Sequence, residues 1–181
     1  MKKLIIIFLL LLTFSGSTFA KEENPSPSPT PTPTPVQYVL PYPGLLPGSP
    51  LYPIKAARDK IIEFLITDAL KKADFYILQA DKRLNAGILL SQLGKFDLAE
   101  ETISKGENCL EMAIGRTKAA KEQNESVDER IVRLHLSALK HQEVIKMLIK
   151  EAGGEAKKGL ENDLKRAEKI DKEVDTLKPK K

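Results

Sequence analysis

From Ile54 onward, apolar residues return every three or four positions in five runs separated by glycine or polar turns. Spacing of that kind collects side chains on one face of a helix. Ile54, Ala57, Ile61 and Leu65 make the stripe of a short first helix over 54–66, and Pro53 suits its opening position, where no backbone N–H is needed. Thr67-Asp68 then offers a cap for a second helix over 69–94, whose seam is Leu70, Ala73, Ile77, Ala80, Leu84 and Gly87, with Gly94 as its stop. A third helix over 96–122 repeats the spacing at Ala99, Ile103, Gly106, Leu110, Ala113, Thr117 and Ala120. Ser126 and Glu129 have capping-box form and open a fourth helix with seam Ile131, Leu134, Ala138, His141, Ile145 and Leu148, which Gly153-Gly154 ends. The last helix, over 155–177, uses Leu160, Leu164, Ala167, Ile170, Val174 and Leu177. Seams that mix large and small residues, joined by short turns, predict an all-α fold. It is an antiparallel bundle of four long helices plus one short N-terminal helix, preceded by an extended Pro/Tyr strap. The small residues of the second and third helices would let those two approach closely.

The N-terminal third has a different texture. Eleven of the twelve prolines lie between Pro25 and Pro53. Before them, Lys2-Lys3, an apolar run from Leu4 to Leu12 and a Thr18-Phe19-Ala20 ending have the form of a secretory signal cleaved after Ala20. The other reading of residues 1–20 is an uncleaved signal anchor, at the lower length limit for a span. Either places the remainder outside the cytoplasm. Within the linker 21–36, residues 25–35 alternate Pro with Ser or Thr, a composition that favours polyproline II and a semi-rigid spacer; eleven such residues span about 34 Å. The organisation expected is therefore signal (1–20), linker (21–36), helical domain with its strap (37–178) and a basic tail (179–181).

Charge alters this picture little. The formal net charge is +4, and without Lys2 and Lys3 the balance is 27 basic to 25 acidic residues. Both signs are interspersed, which marks no nucleic-acid footprint. Cys109 is the only cysteine, so no internal disulfide supports the fold, and it reads as a small buried residue on a helix.

Few residues point to chemistry. A bundle di-iron site needs Glu-x-x-His pairs, and neither His135 nor His141 has Glu three residues earlier. The two histidines are about 240° apart around a helix, so they share no metal face, and His141 reads as a hydrogen-bonded histidine of the seam. No phosphate loop, nucleophile elbow or H-E-x-x-H occurs. No catalytic, cofactor-binding or metal residue is assigned. Arg58, Asp59, Arg83 and Glu107 adjoin seam positions on different helices and are candidates for structural ion pairs across them; ordinary surface pairing and a ligand site are the other readings.

The segment Tyr38–Lys60 spends three tyrosines, Tyr38, Tyr42 and Tyr52, on chain that forms neither helix nor sheet before Pro53. They are either pegs that fix a strap to the bundle, with Tyr52 at the helix start, or a recognition surface at Tyr38–Tyr42. Together with KKADFYILQADKRLNAG and TISKGEN, the LPGSPLYPIK run resembles an uncharacterised bacterial family of exported helical domains, a domain of unknown function. The matched positions include Leu46, Pro47, Ser49, Pro50, Leu51, Tyr52, Lys55, Arg58, Asp59, Lys71, Lys72, Ala73, Ala80, Arg83, Leu84 and Ser104–Asn108. Gly48 and Cys109 depart from the pattern, which leads one to expect an acidic residue and an aromatic there. The resemblance implies an exported all-helical domain with no established activity or cofactor.

The function expected is a non-catalytic, extracytoplasmic interaction or scaffold module of the cell envelope, carried on the proline-rich spacer. An envelope chaperone or stress sensor is the alternative, and an enzyme acting on wall polymers is the third. Expected partners are an envelope protein or polymer, or a second copy, with no nucleic acid and membrane contact only through an uncleaved signal segment.

Overall fold

A computed structural model describes residues 35–178. The expected signal (1–20), the linker up to residue 34 and the tail (179–181) lie outside the described residues. Five helices follow in order: α1 Tyr52–Leu65, α2 Ala69–Gln92, α3 Phe96–Glu122, α4 Asp128–Glu151 and α5 Gly154–Leu177. Among the described residues there is no strand, and the fold is an all-α bundle.

The turns have local causes. Asp68 caps α2 by accepting a 2.7 Å hydrogen bond from the Lys71 N–H. Gly94 ends it at φ +71°, with the Lys95 N–H returning to the Leu90 carbonyl. Asn124, at φ 60°, performs the same reversal after α3. The capping box expected at Ser126 does not form: Val127 is the N-cap of α4 and no side chain bonds there. Asp128 and Glu129 still place negative charge on the first turn, where the helix dipole favours it.

The four long helices pack in the ring order α2–α3–α5–α4. Their seams are the ones the spacing predicts, since every seam residue of α3 and α4 is buried. The core falls into two parts. One gathers Tyr76, Ile77, Leu110, Ile114, Ile131, Leu134, Ile170 and Val174; the other gathers Leu84, Ile103, Val144, Ile145, Leu148 and Leu160. Each part combines the first half of one helix with the second half of the next, the arrangement of antiparallel neighbours. Cross-helix ion pairs follow the same ring, Arg130 with Asp74 at 3.0 Å (α4 to α2) and Arg166 with Glu111 at 3.1 Å (α5 to α3), as does the hydrogen bond between His135 Nδ1 and Asp171 Oδ1 at 2.6 Å (α4 to α5).

Gly87 explains the close approach of α2 and α3. A Cβ there would lie 2.5 Å from Ile103 Cγ1, whereas one at Gly115 would meet nothing within 4 Å. Overpacking costs about 1–3 kcal/mol, against a helix-propensity gain of about 1 kcal/mol for Gly→Ala. Gly87→Ala is therefore expected to lower stability by about 1 kcal/mol and Gly115→Ala to raise it by about 0.5–1 kcal/mol. Urea unfolding of the two variants checks this, and equal gains would show that α2 and α3 are not in tight contact at Gly87.

α1 corrects the sequence reading. Its apolar stripe does not face the core: Ile54, Ile61 and Leu65 are 60–68% exposed, Ala57 is exposed, and the helix has no buried residue. The half-buried positions are Tyr52, Lys55, Ala56, Asp59 and Glu63, so it is the polar face that turns toward the bundle. Glu63 accepts a 2.6 Å hydrogen bond from the hydroxyl of Tyr76 on α2, and that polar contact holds the helix with its greasy side outward.

Candidate functional site

The strap is extended and alternates sides, as a chain lying on a surface must. Val36, Tyr38 and Leu40 turn inward, while Gln37 and Val39 turn out. The Val36 N–H donates to Glu143 Oε2 on α4 at 2.7 Å, and the Tyr38 hydroxyl donates to Asp81 Oδ2 on α2 at 2.6 Å. Leu40 packs against the second core, and Asn85 on α2 donates to the Pro41 carbonyl at 2.9 Å. Lys55 then reaches back from α1 to the carbonyls of Pro43 and Leu45, with its ammonium 5.5 Å from the Tyr52 ring. The three tyrosines thus divide: Tyr38 is hydrogen-bonded into the bundle, Tyr52 is half-buried at the start of α1, and Tyr42 is 79% exposed.

Tyr38 ends on a buried polar layer at mid-height of the bundle, between the two parts of the core. Asp81 on α2, Glu107 on α3, Ser137 and His141 on α4, and Asp163 on α5 are all at most 2% exposed. His141 Nδ1 is 2.5 Å from Glu107 Oε1, and its Nε2 faces Asp81 Oδ1 at 3.6 Å. Ser137 donates to the same Asp81 oxygen at 2.6 Å. Burial works against a charged imidazole, but the Glu107 and Asp81 carboxylates outweigh it and hold the His141 pKa at about 9. At neutral pH His141 is an imidazolium between two carboxylates. Gly106 lets α3 lie close against α2, since a Cβ there would stand 3.3 Å from the Ala80 carbonyl oxygen and from Arg83 Cβ.

Asp163 enters the layer from α5. Burial, with Glu107 and Glu100 nearby, raises its pKa to about 7, against the pull of Arg166. Arg166 bridges back to α3 through Glu111, Asn108 and Ser104. Such a layer fixes which helix faces meet and in what register, because a shifted helix would strand a buried charge. Among the described residues no group of three or more side chains is placed to hold a metal ion.

The four residues proposed as ion pairs do not form one network. Arg58 pairs with its neighbour Asp59 at 2.6 Å on the surface of α1. Glu107 belongs to the His141 layer. The Arg83 guanidinium donates to the Gln79 carbonyl at 3.2 Å and to Cys109 Sγ at 3.1 Å. Cys109 is buried, and that burial raises its thiol pKa, with the Arg83 charge pulling the other way. Cys109 and Arg83 lie with Asp59, Glu63 and Tyr76 around a cleft of about 150 Å³ where α1 stands against α2 and α3. Asp81 and Asp163 escaped the sequence reading, although each is one position from a seam residue, Ala80 or Leu164.

On the outer side of α1 the strap and helix enclose an open groove of about 510 Å³. Its apolar lining is Tyr42, Leu45, Leu51 and Ile54, and its charged lining is Lys55, Arg58 and Lys82. Among the described residues no carboxylate lines it. The groove runs into the exposed face of α1, where Phe64 is 82% and Leu65 68% exposed. Among the described residues no helix is long and apolar enough to cross a membrane.

Residues 44–176 match a family described as a domain of unknown function (DUF5667). No curated protein and no solved structure matches the chain.

Proposed function

The chain belongs to that family, and on the evidence of its surface we propose that it is a non-catalytic interaction module of the cell envelope, exported by its N-terminal segment and carried on the proline-rich spacer. One observation supports this reading above others: α1 is docked by its polar face and presents Ile54, Ile61, Phe64 and Leu65 to solvent. Exposed apolar side chains scattered singly need no explanation, but a continuous row of them on one helix marks a contact surface. The buried layer, in contrast, has the features of a register device. His141 is wholly enclosed, so no substrate can reach it.

The test places a photoreactive amino acid at Ile61 and, separately, at the inward Asp59. In cells producing the full chain, irradiation is expected to give covalent adducts at position 61 and none at 59. No adduct at position 61, with the protein correctly exported, would remove the reading.

A further inference from the structure

We propose that the outward face of α1, with the strap groove beside it, rests on a bilayer surface that carries anionic headgroups. The proposal rests on the interaction-module reading and names its partner. α1 has the build of an interfacial helix, with Ile54, Ile61, Phe64 and Leu65 on one side. Such helices lie in the membrane plane with the apolar side in the acyl boundary and basic residues at its margin. The margin here is Lys55, Arg58 and Lys82, and no carboxylate joins them in the groove lining among the described residues. The acidic residues of α1 lie on the inner cleft: Glu63 takes Tyr76, and Asp59 accepts from Arg58, whose side chain is still 61% exposed. The outer groove is therefore lined by apolar side chains and cations alone, while both carboxylates lie on the side of the inner cleft, which Lys55 and Lys82 also reach.

Two further points favour lipid over a second copy. A stripe on a 14-residue helix measures about 21 Å by 10 Å, well short of the ~800 Å² per partner of a stable protein interface. A two-fold pairing would also set this patch against itself, bringing like cations together without a carboxylate to separate them. A lipid surface needs neither area nor shape complementarity. It accepts a convex ridge of apolar side chains and supplies phosphate to the basic margin. Membrane contact would then arise from the folded domain itself, in addition to anything the N-terminal segment does.

Phe64→Trp provides a local reporter, because the chain has no tryptophan and Phe64 lies outside the core. The full-length chain carrying it is mixed with vesicles of equal parts phosphatidylglycerol and phosphatidylcholine bearing brominated acyl chains, and with brominated phosphatidylcholine alone. The expected result is a blue-shifted emission, quenched on the anionic vesicles and several-fold less on the neutral ones or in high salt. Arg58→Glu with Lys82→Glu should abolish that preference, since each basic residue near an anionic surface is worth about fivefold in binding. A water-like emission, unquenched on anionic vesicles, would overturn the proposal. So would a blue shift that grows with protein concentration in lipid-free buffer, with dimers in the ultracentrifuge; that outcome would leave the interaction-module reading standing with a second copy as partner. That reading falls only with the loss of adducts at position 61.

Discussion

Glu107→Leu is expected to destabilise the bundle by about 3–5 kcal/mol, the cost of stripping one partner from a buried charged pair. The variant leaves His141 Nδ1 enclosed at 0% exposure with no acceptor, and Asp81 Oδ1, 3.6 Å from Nε2, becomes the only charge opposite the ring. Domains of this size have about 5–15 kcal/mol in total, so the single variant stands near the edge of folding. Replacing both partners, Glu107→Leu with His141→Leu, should cost much less than the sum of the singles, because no buried group of that pair remains unmatched. Urea unfolding of the wild type, the two singles and the double forms the cycle. Singles within about 1 kcal/mol of the wild type, adding independently, would show that the layer does not hold the helices together.

The same pair sets a pH dependence. The His141 pKa is about 9 in the folded chain against an ordinary 6.5. A group with its folded pKa raised contributes stability that is fully present below the unfolded value and lost as pH rises through the folded one. The loss of a few kcal/mol therefore falls between about pH 6.5 and 9, on the scale of about 1.4 kcal/mol per unit.

How much of this the residues themselves disclose differs from element to element. The long helices were legible because a three-four spacing sustained over six or seven seam positions leaves one face to bury, and the structure buries it. α1 shows the limit of the same inference. Ile54, Ala57, Ile61 and Leu65 make a stripe, but a stripe states only that one face is apolar, not what that face meets. The deciding facts are tertiary: the Tyr76 hydroxyl on α2 donates to Glu63, and Lys55 donates to the strap's carbonyls. His141 was legible as a polar residue on a seam. Glu107 was legible as a candidate for a cross-helix pair, though not its partner; Asp81 and Asp163 were not, since each follows or precedes a seam residue by one position and so points about 100° away from it on an ideal helix. Only the ring order of the helices, which brings α2, α3, α4 and α5 around one centre, turns those flanking positions inward. Tyr38 was legible as a peg and its socket was not, because Asp81 is 43 residues away in the chain.

Asp163→Asn is expected to make the protein more stable above neutral pH, an unusual outcome for a substitution in a buried layer. Asp163 is 2% exposed, its Oδ2 has no hydrogen-bond partner, and its Oδ1 is 3.4 Å from Arg166 Nη1. With Glu107 and Glu100 adding negative charge, its pKa rises from 3.8 to about 7. The folded pKa lies above the unfolded one, so the stability belonging to the protonated form is complete below about pH 4 and declines as pH rises through about 7. Across three units that decline is on the order of 4 kcal/mol, and an asparagine, neutral at every pH, does not undergo it. Arg166 keeps Glu111, Asn108 and Ser104, so the substitution does not strand the guanidinium. At pH 8 the variant should exceed the wild type by a few kcal/mol; at pH 4 the two should agree within about 1 kcal/mol, the worth of one altered hydrogen bond. Urea midpoints at pH 4, 6 and 8 distinguish this from a structural role for the carboxylate. A variant weaker than the wild type at pH 8 would mean that ionised Asp163 contributes more through Arg166 than its burial costs. The sign matters for the layer as a whole, because His141 and Asp163 both lose stability as pH rises. Together these two groups contribute most at about pH 4, less as Asp163 ionises up to about pH 7, and least once the imidazolium has lost its proton above about 9.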